Sequence, residues 1–143
     1  MATSSQPAAG IRQRLLIGAL ELTTDTVKAA LMQQGFTFQA NTHETFSQVS
    51  ANELDATGGY VAGGQVLTNG SITVNPLTRV ATLSYDPASW EASGGDIGPT
   101  VGAVIYDDST SDKAIIGYLD FGQTYTQAAG GSLIISGISV ILR

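Results

Sequence analysis

Short β-branched or alternating segments, each closed within a few residues by glycine, asparagine or proline, leave this chain little room for long helices. Glycine alone occurs 17 times in 143 residues. At that spacing a helix is stopped before it recovers the cost of nucleation, whereas a strand needs only a turn residue at each end. Two of these breaks are readable as turn types. Asn69-Gly70, between residues 65–68 and 71–74, carries the signature of a two-residue hairpin. Asn75-Pro76-Leu77-Thr78 reads as a type I turn into residues 80–85, which extends the hairpin to a meander.

The rest of the chain follows the same grammar. After the Thr23-Thr24-Asp25 turn, Val27, Ala29 and Leu31 alternate with Thr26, Lys28 and Ala30. Alanine, leucine and methionine also suit a helix, but the short length and the preceding turn favour a strand. Residues 101–106 and 114–121 predict two strands around a polar tip at 107–113. Residues 133–142, with Ile134, Ile138, Val140 and Leu142 on one face, predict a single closing strand placed centrally in a sheet. Residues 36–46 form a polar loop anchored by Phe36, Phe38 and Phe46. Ser50 and Glu53 stand at capping-box spacing, which predicts one helical turn around Glu53-Leu54, stopped by Gly58 and Gly59.

Residues 11–19 fit a short helix and a strand equally. The Ala/Ser/Gln/Pro composition of residues 1–10 has no face to bury. The expected organisation is therefore a flexible N-terminal arm over residues 1–14 and a single β-rich domain over residues 15–143. With about seven to nine short strands and no internal repeat, the chain reads as mainly β. Its expected form is a single-domain antiparallel β-sandwich or flattened barrel with an extended N-terminal arm and at most one or two short helices.

Charge and residue types exclude several functions. The net charge is −6, and residues 86–120 carry seven acids against Lys113 alone. Such a surface repels phosphate, so no direct contact with nucleic acid is expected. The absence of cysteine removes disulfide and thiolate chemistry. Arg12 and Arg14 ahead of the apolar residues 15–20 resemble a weak secretion signal, but the run is short and Glu21 follows at once. No stretch approaches the ~18 apolar residues of a membrane span, so no membrane partner is expected.

Catalytic and ligand constellations fail on count or context. A Ser-His-Asp triad needs a base beside the serine, and His43, the only histidine, has no nucleophile elbow near it. One histidine and no cysteine cannot furnish a zinc site. The tip at Asp107 and Asp108 lacks the glycine and final glutamate of a calcium-binding EF-hand loop. The glycine run at residues 58–64 has no following Lys-Ser or Lys-Thr, which a phosphate cradle requires. No enzyme, metal or cofactor is expected from these residues. Trp90, with Tyr85 and Tyr118, offers the one arrangement suited to a sugar platform.

Five blocks nevertheless recur in a known pattern. Residues 25–31 read Asp-Thr-Val-Lys-Ala-Ala-Leu, and Thr42-His43-Glu44 precedes Phe-Ser-Gln-Val-Ser-Ala-Asn-Glu at 46–53. Residues 59–69 read Gly-Tyr-Val-Ala-Gly-Gly-Gln-Val-Leu-Thr-Asn. The last two blocks are Ala-Val-Ile-Tyr-Asp-Asp at 103–108 and Ile-Gly-Tyr-Leu-Asp-Phe-Gly at 116–122. In this combination the chain resembles a family of small structural proteins of tailed bacteriophages and prophages, with the N-terminal segment outside the shared pattern. The resemblance implies a virion protein made in the host cytoplasm, most simply a capsid decoration (cement) protein. Its implied partners are the major capsid protein and further copies of itself as a homotrimer. A tail, neck or fibre-associated component and a host-surface carbohydrate-binding module stand as alternatives. The residues expected to contact a partner are Arg12 and Arg14 in the arm, Asp107 and Asp108 at the tip, and Trp90.

Overall fold

The computed structural model describes residues 4–142. Its strands are β1 (Ser4–Pro7), β2 (Val27–Gln33), β3 (Gln65–Val66), β4 (Ser71–Asn75) and β5 (Val80–Ser84), followed by β6 (Ala88–Glu91), β7 (Ile97–Asp107), β8 (Ile115–Gln127), β9 (Ser132–Ile135) and β10 (Ser139–Leu142). One helix, α1 (Ile11–Leu16), and two 3₁₀ turns, Phe46–Gln48 and Ser50–Asn52, complete the elements. All strand pairs are antiparallel and form a five-stranded sheet β1-β8-β7-β2-β3, a three-stranded sheet β10-β5-β4 and a ribbon β6-β9. The expected mainly-β antiparallel class is what the chain adopts, and the sheets remain open rather than closing into a barrel.

The five-stranded sheet is covered on both faces. Val27, Ala29, Leu31, Ala103, Ile105 and Leu119 pack with Leu83, Ile135 and Val140 from the smaller sheets. On the opposite face Ala30, Met32, Val104, Tyr106 and Tyr118 lie under Phe38, Phe46 and Val49 of the intervening loop. Phe46 stacks on Tyr106 with ring centroids 4.2 Å apart. This explains why β2 does not alternate cleanly: a strand buried on both faces needs apolar residues at successive positions.

Several sequence expectations are corrected. Asn69-Gly70 does not close a hairpin, because β3 pairs with β2 while β4 pairs with β5. The turn instead carries the chain from one sheet to another, with Asn69 at φ 55° and its amide donating to Asp86. The neighbouring Asn75 turn does form: Asn75 Oδ1 accepts the Leu77 and Thr78 N–H groups, and the Arg79 N–H donates to the Asn75 carbonyl at 2.7 Å.

The closing strand is split into β9 and β10 by Gly137, whose φ of 65° lies in the left-handed region that favours glycine. That turn resets the phase, so Leu133 and Ile135 point inward and Ile134 stands 52% exposed. It also leaves β10 at the edge of its sheet and not in the centre.

The arm expected over residues 1–14 is ordered from Ser4 onward, while residues 1–3 lie outside the described residues. Ser4–Pro7 pairs with β8 from Asp120 back to Gly117, and Ile11 is buried. Backbone pairing to a free sheet edge needs no apolar pattern, so composition could not reveal it.

The capping box forms one turn earlier than expected, between Thr45 and Gln48. Glu53 is extended and serves a different purpose. Its carboxylate accepts the Tyr60 hydroxyl at 2.7 Å and the Gly63 N–H at 2.6 Å, while the Tyr60 oxygen accepts the Leu31 N–H at 3.0 Å. The Tyr106 hydroxyl donates to the Gly63 carbonyl at 2.6 Å. Burial, then Glu53, push the Tyr60 hydroxyl well above the ordinary tyrosine range, which keeps it a donor. This buried knot ties the glycine run onto β2.

Two substitutions test the knot. Tyr60→Phe strands the Leu31 N–H and leaves Glu53 Oε1 with the Gly63 N–H alone, and is expected to cost about 1–3 kcal/mol in denaturant unfolding. Gly64→Ala drives a Cβ into the Ala29 carbonyl oxygen at φ +79°, and is expected to lose soluble folded protein altogether.

Candidate functional site

Three of the five partner-contact residues converge at the tip between β7 and β8. The register that sets Val27 opposite Asp107 brings the start of β2 beneath the 107–113 loop. The loop is then fastened to it: Asp108 N–H donates to the Thr26 carbonyl, and Thr26 N–H donates to Ser109 Oγ at 2.7 Å. Asp107 Oδ1 accepts the Ser109 N–H at 2.8 Å, an Asx-type closure that starts the turn.

The charges at this tip are satisfied internally. Asp108 sits between Lys28 Nζ at 3.2 Å and Lys113 Nζ at 3.3 Å. Burial works against its ionisation, but the two ammonium groups outweigh it and hold its carboxyl below the usual aspartate range. Arg14 reaches Asp112 at 2.7 Å and holds that carboxyl low as well. Arg14, Asp108 and Asp112 thus form ion pairs with their own chain.

Asp107 departs furthest from expectation. It belongs to the polar tip between two strands, yet it is fully buried. Its Oδ2 is the one buried side-chain oxygen among the described residues with no conventional donor. The neighbouring group is the Asp25 carboxyl, which is itself held by the Glu21 N–H at 3.0 Å. Two carboxyls in contact cannot both ionise cheaply, so they share a proton. Burial, then Asp25, raise Asp107 to about 7, while the hydrogen bond from Asp107 and the Glu21 N–H hold Asp25 low. Asp107 is the proton carrier of the pair and Asp25 the anion.

Arg12 and Trp90 stand apart from this cluster. Arg12 is exposed on α1 and makes no ion pair among the described residues. Trp90 is only 6% exposed in β6 and packs in the core opposite Leu133. Tyr85 and Tyr118 are buried too, so the sugar platform suggested by these three side chains is not presented to solvent. His43 packs between Phe36 and Phe38, at 5.8 and 5.7 Å between ring centroids, and accepts the Gln39 N–H through Nδ1.

Sequence reasoning missed Asp25 and Lys28 as neighbours of the tip, and gave no role to Ser109 or Lys113 within it. Only the β2–β7 pairing brings Asp25 and Lys28 there, and nothing in their own local pattern announces it. The chain matches no protein-family model, no curated protein and no solved structure.

The carboxyl pair has a consequence for stability. Unfolded, Asp107 titrates near the ordinary ~3.9 of aspartate. Folded, it holds its proton up to about 7, so its contribution is complete below the ordinary value and is lost as pH rises through about 7. Asp108 and Asp112 act with the opposite sign, losing their contribution as pH falls through their lowered values. Asp107→Asn is therefore expected to match the parent below about pH 4 and to gain on it up to about pH 7, by about 3–4 kcal/mol near pH 8 in urea unfolding. An unchanged slope across that window would remove the shared proton from the account.

Proposed function

We propose that this chain is a structural virion protein that decorates the outer face of a bacteriophage capsid and braces the major capsid protein. The observation that carries this reading is the family-like set of blocks, which falls on one structural unit. Residues 25–31, 103–108 and 116–122 supply the adjacent strands β2, β7 and β8. Residues 42–53 help cover one face of those strands, and residues 59–69 run from the buried knot on β2 through β3. Blocks that meet in one sheet and its covers are what a shared fold core requires.

The contact with the shell belongs on α1. Arg12 and Leu16 are one turn apart and share a helix face. Leu16 is 87% and the adjacent Ile17 71% exposed. A cation beside exposed apolar side chains, on a molecule of net charge −6, is a surface that fits an acidic, partly apolar partner. Arg14, Asp107 and Asp108 serve the fold of the tip, and Trp90 serves the core.

Purified particles test the reading by quantitative mass spectrometry and image reconstruction. Copies distributed over the icosahedral shell are expected. Copies confined to one vertex would replace decoration with a tail or neck role, and no copies would end the virion reading. The double substitution Arg12→Glu with Leu16→Asp is expected to lower capsid occupancy at least about tenfold, a loss of ~1.4 kcal/mol, while leaving the thermal melt of the free protein unchanged.

A further inference from the structure

We propose that β4 is a self-pairing edge through which two copies of this chain join about a two-fold axis. β4 is the longest edge strand, and every one of its five residues is exposed. Soluble proteins guard such edges with charge, proline or a bulge. Ser71-Ile72-Thr73-Val74-Asn75 contains neither charge nor proline, and its register with β5 runs without a shift.

The strand is complementary to itself. Reversed about Thr73, it sets Ser71 against Asn75, Ile72 against Val74, and Thr73 against its own copy. Polar meets polar and β-branched apolar meets β-branched apolar, the cross-strand pairs that stabilise a sheet. An isologous interface requires this property, and a partner of different sequence does not.

Backbone direction agrees. Because the Asn75 carbonyl is taken inside the hairpin by Arg79 N–H, Asn75 directs its polar groups toward β5. Alternation along an antiparallel strand then directs those of Ile72 and Val74 outward. In the reversed register these two residues oppose one another, so each pair exchanges reciprocal N–H to carbonyl bonds across the axis. The side chains of Ile72 and Val74, 46% and 64% exposed, share the face that carries Leu83 and Val140, so pairing extends an existing apolar layer.

Charge selects a second copy at this place. Residues 66–85 include no acid and one base, Arg79, on a chain of net charge −6. Two copies can meet here without bringing carboxylates together. The pairing does not depend on the capsid reading, and it makes a dimer in place of the trimer that the family resemblance implies.

Sedimentation or light scattering of the full chain at rising concentration is expected to show a mass moving from 14.7 kDa toward twice that value. A single strand seam lies at the small end of specific interfaces, so the dimer should dissociate on dilution. Val74→Pro removes an outward N–H while sparing the β4–β5 ladder, and is expected to leave a folded monomer. Ile72→Lys, which sets a charge on the same seam, is expected to do the same and guards against a proline that disturbs folding. The chain has no cysteine of its own. Thr73→Cys should therefore give an oxidised covalent dimer, because residues facing across the axis lie within disulfide reach, whereas Ser71→Cys should not. A monomer at all concentrations, a trimeric mass, a dimer that survives both seam substitutions, or equal cross-linking of the two cysteine variants would each overturn the proposal.

Discussion

Everything in this molecule follows from the need to cover both faces of one sheet. β2, β7 and β8 place apolar side chains above and below the same backbone layer, and neither set can be left in water. A chain of this length cannot cover both faces with helices when glycine interrupts it so often. One face is therefore closed by the smaller sheets and the other by a loop whose phenylalanines act as plugs. The loop stays in place because its polar backbone is satisfied by short bonds, among them Phe46 N–H to the Lys113 carbonyl and Ile115 N–H to the Glu44 carbonyl.

The same burial sets the electrostatics of the tip. Asp107 closes β7 with its backbone paired and its side chain turned inward against Asp25, so a proton must replace the water it has lost. One residue further on, Asp108 reaches the surface and meets two lysines. Adjacent residues on a strand face opposite ways, and here that alternation divides two sequence-identical acids into a buried proton holder and a surface ion-pair centre. The cluster is built to hold a loop closed, and its charged groups have partners before any other molecule arrives.

How much of this was legible in the sequence depended on whether the signal was local. The Asn75 turn, the β7–β8 pair around a polar tip and the mainly-β class rest on neighbouring residues, and they stand. The Asn69-Gly70 hairpin failed because the strands on either side had better partners elsewhere, which no dipeptide signals. The closing strand failed on one φ angle at Gly137. The contact residues divided in the same way. Arg12 remains at the surface, whereas Arg14, Asp107 and Asp108 found partners within the chain through pairings between distant strands. Trp90 went to the core because β6 faces it inward opposite Leu133.

The position of β1 has a bearing on how the protein is made. Ser4 pairs with Asp120 and Pro7 with Gly117, so β1 waits for partners synthesised more than a hundred positions later. The central sheet cannot be completed on a partial chain, since β7 and β8 also lie in the second half. Folding of this sheet is thus deferred until β8 has been made, and the apolar β2 must be kept from other nascent chains through that interval.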